Sequence, residues 1–195
     1  MNSRDESKYG HGHDDGLEPT RPLDVQQLDS VDALVRAMAD TAFGGRRLGE
    51  AADLLETMVR DESCFRVVTI SGAMTIAKQG LVLSEMIERG WVQALVATGA
   101  LMTHGLVEGA GLQHFKHRAQ MSDEELFPLG YNRVYDTIEL EKNLDDVEKL
   151  LASALRDLDP GQPLSSRLIL EKMGQSLLAE SDGRGVLQSA ARHGV

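Results

Sequence analysis

The sequence predicts an α/β fold, with a doubly wound and mostly parallel sheet flanked by helices. Two short β-branched runs support this prediction, "VVTI" from Val67 and "ALVA" from Ala94, and each lies between segments with helical periodicity. Ser71 and Thr98, which follow the two runs, lie far enough apart for one helical crossover between parallel strands. Further helical segments precede and follow the runs, so that strands and helices alternate along the chain.

Apolar residues that recur every three or four positions predict the helices in chain order. A first pair precedes the strands, with Gly44 and Gly45 between them. The helix between the two strands ends at Gly90, because glycine is the usual residue just past a helix C-terminus. Ser122 and Glu125 have the spacing of a capping box, which marks a further helix start. The predicted helices cover residues 28–43, 46–61, 75–89, 101–110, 143–159, 165–180 and 185–193.

A third strand is predicted over residues 132–140, "NRVYDTIEL". The resulting order of helices and strands is that of a doubly wound, Rossmann-like α/β domain. Two prolines in "EPTRP" separate this domain from the polar residues before it. We therefore predict a flexible arm over residues 1–22 and one α/β domain over residues 23–195, since a chain of 195 residues suits a single core.

Composition and charge narrow the classes of function. The net charge of −11 disfavours nucleic acid, whose phosphates favour Lys and Arg, and is compatible with a cationic ligand such as a polyamine. The apolar runs are shorter than the roughly 18 residues of a membrane span, and the N-terminus has no apolar signal region. Cys64 is the only cysteine in the sequence, which fits a reducing compartment. The sequence thus predicts a cytoplasmic protein.

Both predicted parallel strands end in a hydroxyl residue followed by glycine and alanine. Ser71 precedes Gly72, and Thr98 precedes Gly99. Ligands of doubly wound sheets bind beyond the carboxyl ends of the strands, where the following helices expose backbone N–H groups that favour phosphate. The pattern predicts a nucleotide or dinucleotide site, although the GxGxxG motif is absent. The alternative is that the small residues only allow helices to pack closely on the strands.

Two groups of histidines in the sequence could ligate a metal ion. "HGHDD", residues 11–15, lies in the predicted arm, where no scaffold holds its ligands, and it is interpreted as a solvated tail. His114 and His117 have the spacing of two ligands on a helix. No Cys or carboxylate lies near them in the sequence, and Lys116 and Arg118 would repel a cation. No metal site is therefore predicted.

Several longer motifs carry a resemblance to a known family. "RVVTISGAMTIAKQG" from Arg66, "ALVATGALMTHGLVEGAG" from Ala94 and "LGYNRVYDTIELEKNLDDVEKLLASAL" from Leu129 resemble the deoxyhypusine synthase family in order and spacing. The resemblance runs from about Phe43 to the final "AARHGV". It implies an NAD-binding fold and homotetramers with active sites between subunits. It also implies transfer of an aminobutyl group from spermidine, through an imine on an enzyme lysine, to a lysine or amine acceptor.

Matched motif by motif, the resemblance places an NAD site on the two strand ends. His104 falls where the family has a residue that touches cofactor and polyamine, and Thr103 lies beside it. For His104 the alternative is a histidine hydrogen-bonded at a helix start. The implied substrate-binding residues are Thr103 and His104, and the implied cofactor-binding residues are Gly72, Ala73, Met74, Thr75, Ile76, Thr98, Gly99, Ala100 and His104.

The sequence departs from the family pattern in two ways. The family's catalytic lysine lies in a Gly- and Trp-containing motif near the C-terminal end. None of this chain's lysines has that context, so no catalytic residue is predicted here. In the matched region, Gly105 and Leu101 stand where many relatives carry Asp and Asn, and Lys78 stands where the first loop often has glycine. Lys78 could pair with NAD phosphate, obstruct the loop or point to solvent.

We therefore expect the chain to be the N-terminal portion of a deoxyhypusine synthase-like fold, incomplete at the C-terminus. The first hypothesis is an NAD-dependent aminobutyl transferase, of which this chain would be a truncated product or one piece of a split enzyme whose catalytic-lysine half is a complementing C-terminal portion. The second is a non-catalytic relative that binds NAD or oligomerises as a regulatory or assembly subunit. The third is a fragment without a function of its own. The expected partners are a polyamine substrate and other copies of the chain, a tetramer in the family, without nucleic acid or membrane.

Overall fold

The computed structural model describes residues 4–71, 73–156, 158, 159, 161, 163–180 and 183–195. The chain divides into two compact units between Cys64 and Phe65. The predicted boundary between an arm over 1–22 and a domain over 23–195 is not tested by this division and stays a prediction. Among the described residues, no helix is both long and apolar enough to cross a lipid bilayer.

The N-terminal unit contains two helices, α1 (Val31–Ala39) and α2 (Phe43–Arg60). Ser30 caps α1, because its hydroxyl accepts a hydrogen bond from the backbone N–H of Ala33 at 3.1 Å. The two helices approach closely at Gly49, where a Cβ atom would lie 2.3 Å from the backbone nitrogen of Ala39. The predicted break at Gly44 and Gly45 is wrong, since α2 begins before them and includes both.

The C-terminal unit begins with two parallel strands, β1 (Val67–Ile70) and β2 (Ala94–Ala97), which pair from Val67 with Ala94 to Ile70 with Ala97. The connection between them contains α3 (Ala73–Ile76) and α4 (Gly80–Glu88). The sequence predicted one helix here, and the structure corrects that prediction, because Lys78 has φ = +65° and interrupts it. Gly90 follows α4 with φ = +69°, which confirms the predicted glycine stop.

A π-helix (Leu101–Gly105) and α5 (Leu106–Gly109) follow β2. The next elements are β3 (Phe115–Lys116), α6 (Asp123–Leu126), β4 (Tyr131–Val134) and β5 (Thr137–Leu140). The strands β3, β5 and β4 form an antiparallel sheet in that order. The single strand predicted over 132–140 is therefore wrong. It is a hairpin that turns at Tyr135, whose φ is +58°.

Three longer helices end the chain: α7 (Glu141–Leu155), α8 (Ser166–Glu180) and α9 (Val186–His193). Helices α8 and α9 approach closely at Gly174, where a Cβ atom would lie 2.5 Å from the carbonyl oxygen of Leu187. Two apolar clusters form the core of this unit. One contains Leu83, Ile87, Val92, Leu101 and Val186, and the other contains Leu106, Val107, Val147, Met173 and Leu177. The described chain is thus a mixed α/β structure with a parallel strand pair and a separate antiparallel sheet.

Candidate functional site

The two loops that follow β1 and β2 lie side by side. We call residues 71 and 73–79 the first loop and residues 98–105 the second loop; Gly72, a predicted cofactor residue, lies outside the described residues. The strands are parallel neighbours, so both loops leave the same edge of the pair. The backbone N–H of Thr98 donates to the carbonyl oxygen of Ile70 at 3.3 Å, which joins the start of the second loop to the end of β1.

The first loop is a tight turn into a single helical turn. The hydroxyl of Ser71 accepts from the backbone N–H of Ala73 at 3.3 Å, and the carbonyl oxygen of Ser71 accepts from Met74 at 3.2 Å. Thr75 and Ile76 are buried, whereas 41% of Met74 is exposed. Of the predicted cofactor residues on this loop, Met74 is therefore on the surface, and the side chains of Thr75 and Ile76 lie beneath it.

Lys78 ends the first loop in a conformation that normally favours glycine. Its φ of +65° places it in the left-handed region, at a position that the family it resembles often fills with glycine. The ammonium group of Lys78 forms an ion pair with Glu108 of α5 and lies 3.0 Å from Nδ1 of His114. The lysine is thus paired with a carboxylate of the protein.

The second loop enters a π-helix, a conformation that is rare in proteins and frequent at functional sites. Around the Cβ position of Gly99 there is no other atom within 4 Å, so this part of the loop has open space beside its backbone. The hydroxyl of Thr103 donates to the carbonyl oxygen of Ala100 at 2.8 Å. Leu101 is 5% exposed and belongs to the apolar core, which anchors the loop from below.

The two loops are in contact near a cavity. A Cβ atom on Gly105 would lie 3.1 Å from Cδ1 of Leu101 and 3.4 Å from Cγ2 of Thr75, so glycine fits closely between the loops. A cavity of about 260 Å³ adjoins this contact. Residues of both loops line it, together with α4, α5 and the start of α9: Thr75, Lys78, Leu81, Gly105, Glu108 and Val186.

His104 lies in the π-helix beside the buried carboxylate of Glu139 on β5. Its Nδ1 atom is 2.7 Å from Oε2 of Glu139 but is not aligned for a hydrogen bond. Nε2 of His114 lies 3.2 Å from the other oxygen, Oε1. Burial alone raises the pKa of the Glu139 carboxyl, but the hydrogen bond with His114 and the charge of His104 outweigh it, and the net pKa is lowered. Glu139 is therefore a carboxylate at neutral pH.

Sequence reasoning missed His114, Glu139 and Glu108 as members of this site. His114 was compared only with His117, and the structure separates that pair, because β3 lies between them and Nε2 of His117 lies 3.0 Å from the carbonyl oxygen of Met121. The carboxylate that the sequence around His114 lacks comes instead from β5, which pairs with β3. The hairpin around Tyr135 brings Glu139 close to His114. The prediction of a single strand over 132–140 did not indicate this contact.

The capping box predicted at Ser122 and Glu125 is confirmed. Ser122 and Glu125 form a capping box at the start of α6, with both reciprocal hydrogen bonds present. On α7, Asp146 forms surface ion pairs with Lys142 and Lys149. Neither group contributes to the site at the two loops.

The fold is that of an α/β protein, and the candidate site lies at the carboxyl ends of two parallel strands. A family model for deoxyhypusine synthase matches residues 33–195. A Methanosarcina acetivorans protein named "Probable deoxyhypusine synthase 1" is 36% identical over 177 residues, which are 91% of this chain and 55% of the relative. A Methanosarcina thermophila protein named "Probable deoxyhypusine synthase" is 34% identical over the same shares of the two chains.

The chain belongs to the deoxyhypusine synthase family. It spans about half the length of the curated relatives it matches. A crystal structure of a deoxyhypusine synthase candidate from Entamoeba histolytica superposes with a TM-score of 0.58 at 14% identity, covering 90% of this chain and 62% of the other. At that identity the match supports the fold alone.

Proposed function

We propose that this chain supplies the NAD-binding portion of a deoxyhypusine synthase-like enzyme, which transfers an aminobutyl group from a polyamine to a lysine or amine acceptor. The observation that carries the proposal is the juxtaposition of the two loops at one edge of β1 and β2. Family membership gives the reaction class, since aminobutyl transfer is the activity for which the family is named.

The first and second loops fit an extended, phosphate-bearing cofactor. Small residues line the approach: Ala73 follows β1, and Gly99 and Ala100 follow β2. The open space beside Gly99 allows a ligand to contact the backbone directly. When bound, NAD would accept a hydride from the polyamine. The chain's own part would be to hold the cofactor on the second loop and to present His104 and Thr103 toward the polyamine.

The structure also supports a need for a covering partner. Val67 on β1 and Val96 on β2 are 49% and 58% exposed, although both lie on strands of the parallel pair. Exposed apolar residues on a short strand pair are typical of a surface that another chain or segment covers. We propose that other copies of the chain, or a complementing C-terminal portion that carries the catalytic lysine, cover this surface.

Calorimetry with NAD tests the cofactor site. We expect the wild-type chain to bind NAD and Gly99→Val to bind at least about 10-fold more weakly, because the isopropyl group would occupy the space beside the loop. The fold should tolerate this change, since nothing lies within 4 Å of that Cβ position. Gly44→Val is the matched control, because Gly44 is equally open but lies on α2 in the other unit.

Far-UV circular dichroism should be unchanged in both variants. Equal NAD affinity of Gly99→Val and wild type would show that the loops are not the cofactor site. The wild-type chain should be tested both alone and mixed with the C-terminal portion of the Methanosarcina acetivorans relative. If it binds NAD in neither case, the cofactor assignment is wrong.

The same mixture tests catalysis. We expect spermidine-dependent NADH absorbance only when both portions are present, because the lysines of this chain lack the family's catalytic context. A mixture that binds NAD and assembles but never oxidises spermidine would instead support the non-catalytic hypothesis.

A further inference from the structure

Three side chains of metal-ligating type converge beneath the second loop. His104 comes from the π-helix, His114 from the segment before β3, and Glu139 from β5. Their ligand atoms all lie within 4.8 Å of one another. Across the part of the chain that the structure describes, this is the only such group of three or more His, Cys, Asp or Glu residues.

Burial distinguishes this group from a chance surface cluster. The side chains of His114 and Glu139 are 0% and 2% exposed, and that of His104 is 20% exposed. Burying a carboxylate and two imidazoles is costly unless each polar atom is satisfied. Nδ1 of His104 is buried and not aligned for a hydrogen bond, although Glu139 is its near neighbour. A cation bound to Nδ1 would satisfy it.

The surrounding charges leave room for a cation. Glu139 and Glu108 are two carboxylates, and Lys78 is the one ammonium group paired with them among the described residues. With neutral imidazoles the group has one excess negative charge. Glu108 also lies behind His114, with Oε1 3.6 Å from Nδ1. The ammonium group of Lys78, which is paired with Glu108, lies 3.0 Å from the same Nδ1 atom, so this nitrogen faces away from the three ligand atoms.

We propose that His104, His114 and Glu139 bind a divalent metal ion of the zinc class. Two imidazole nitrogens and one carboxylate are a ligand set that suits zinc, and three protein ligands leave a fourth position for water or another ligand. Zinc–ligand distances of about 2.0–2.2 Å place tetrahedral ligand atoms roughly 3.4 Å apart. The two imidazole nitrogens now lie 2.7 Å (His104) and 3.2 Å (His114) from oxygens of Glu139, below that value. No two of the ligand atoms are more than 4.8 Å apart.

Formation of the site therefore requires side-chain rotations that bring these separations to about 3.4 Å. Lys78 is 55% exposed and can remain paired with Glu108, and its 3.0 Å contact with Nδ1 of His114 would open as His114 turns toward the ion. The bound ion would tie the second loop to β5 and to the segment before β3. It would thereby fix the position of His104, independently of whether NAD is present.

Titration of the full chain with zinc alone, after removal of metal by a chelator, tests the site. We expect one ion per chain by calorimetry, and a melting temperature that rises with zinc concentration, because the ion binds the folded state. Cobalt(II) should give the visible absorption of a tetrahedral nitrogen and oxygen site. Neither readout uses NAD or a polyamine, so failure here is distinct from failure of the proposed function.

Substitution of the proposed ligands tests which side chains bind the ion. His104→Ala and Glu139→Gln should each lower the zinc affinity by at least about 100-fold, because loss of a ligand exceeds the effect of losing an outer-shell partner. Glu139→Gln is close in shape and keeps an oxygen for His114, so it preserves the fold while removing the charge. His117→Ala is the matched control and should bind as wild type, since His117 contacts Met121 instead.

The histidines of the N-terminal segment provide the competing explanation. A double variant of His11 and His13 to Ala should retain one bound ion with unchanged affinity. Any of three outcomes would overturn the proposal. The double variant could lose zinc binding, both His104→Ala and Glu139→Gln could retain it, or the wild-type chain could show no stoichiometric binding.

Discussion

The first and second loops have similar sequences and both contain buried residues, but they are joined to α5 in different ways. Each follows a parallel strand and begins with a hydroxyl residue, glycine and alanine. The first loop buries Thr75 and Ile76, has a positive φ at Lys78, and is tied to α5 by an ion pair at the surface. The second continues as a helix into α5 and is anchored by Leu101 in the core. Sequence similarity at two strand ends therefore does not imply equal rigidity.

The largest effect should come from shortening the buried apolar residue Leu101 of the second loop, compared with the exposed Met74 of the first. Leu101→Ala should lower the free energy of unfolding by about 2–4 kcal/mol, because it leaves a cavity among buried side chains. Met74→Ala on the first loop should change it by less than about 0.5 kcal/mol, because 41% of Met74 is exposed. Urea denaturation of the two variants measures this. Equal effects would show that Leu101 does not anchor the second loop.

The sequence predicted the elements whose signals are local. The parallel pair follows from two β-branched runs, the end of α4 from Gly90, and the start of α6 from the spacing of Ser122 and Glu125. Each of these depends on residues within a few positions, so the period of the apolar pattern and the capping chemistry are sufficient.

The errors arose where the backbone departs from what its residue types favour. Lys78 interrupts a helical pattern with a positive φ, which lysine does not signal. The hairpin turns at Tyr135, where no glycine or asparagine marks it. That second error hid the site's buried carboxylate, because Glu139 reaches His114 only through the pairing of β3 with β5. Proximity of this kind depends on long-range pairing that local patterns do not encode.

A smaller effect should reveal the strain in the first loop. Lys78→Gly and Lys78→Ala both remove the ion pair with Glu108, but only glycine adopts φ = +65° without cost. We expect the glycine variant to be more stable than the alanine variant by about 1 kcal/mol. At Lys149, which lies within α7, the order should reverse, because glycine is the poorer helix former. If the alanine variant were the more stable one at both sites, Lys78 would be unstrained.

Charges also hold the helix that follows the first loop. Glu88, at the end of α4, accepts hydrogen bonds from Arg184 at 2.9 and 3.0 Å and from the hydroxyl of Ser189 at 2.7 Å. These bonds lower the pKa of Glu88 from 4.5 to about 2, the bond with Arg184 having the greater effect. Arg184 also pairs with Glu85 of the same helix. The first-loop side of the molecule is therefore joined to the start of α9 by a partly exposed ionic network.

This network gives the smallest of the three expected effects and the only one that depends on pH. A carboxyl whose pKa is lower in the folded state stabilises that state above its unfolded pKa, and the contribution is lost as pH falls toward the folded pKa. The stability difference between wild type and Arg184→Gln should be constant above about pH 5, shrink between pH 4.5 and about 2, and decrease with salt at neutral pH. The difference between wild type and Leu101→Ala should persist across the same range, because packing does not titrate. Thermal unfolding as a function of pH measures the stability of wild type and both variants. If the stability difference between wild type and Arg184→Gln did not change with pH, the ion pairs of Arg184 would not stabilise the packing of α4.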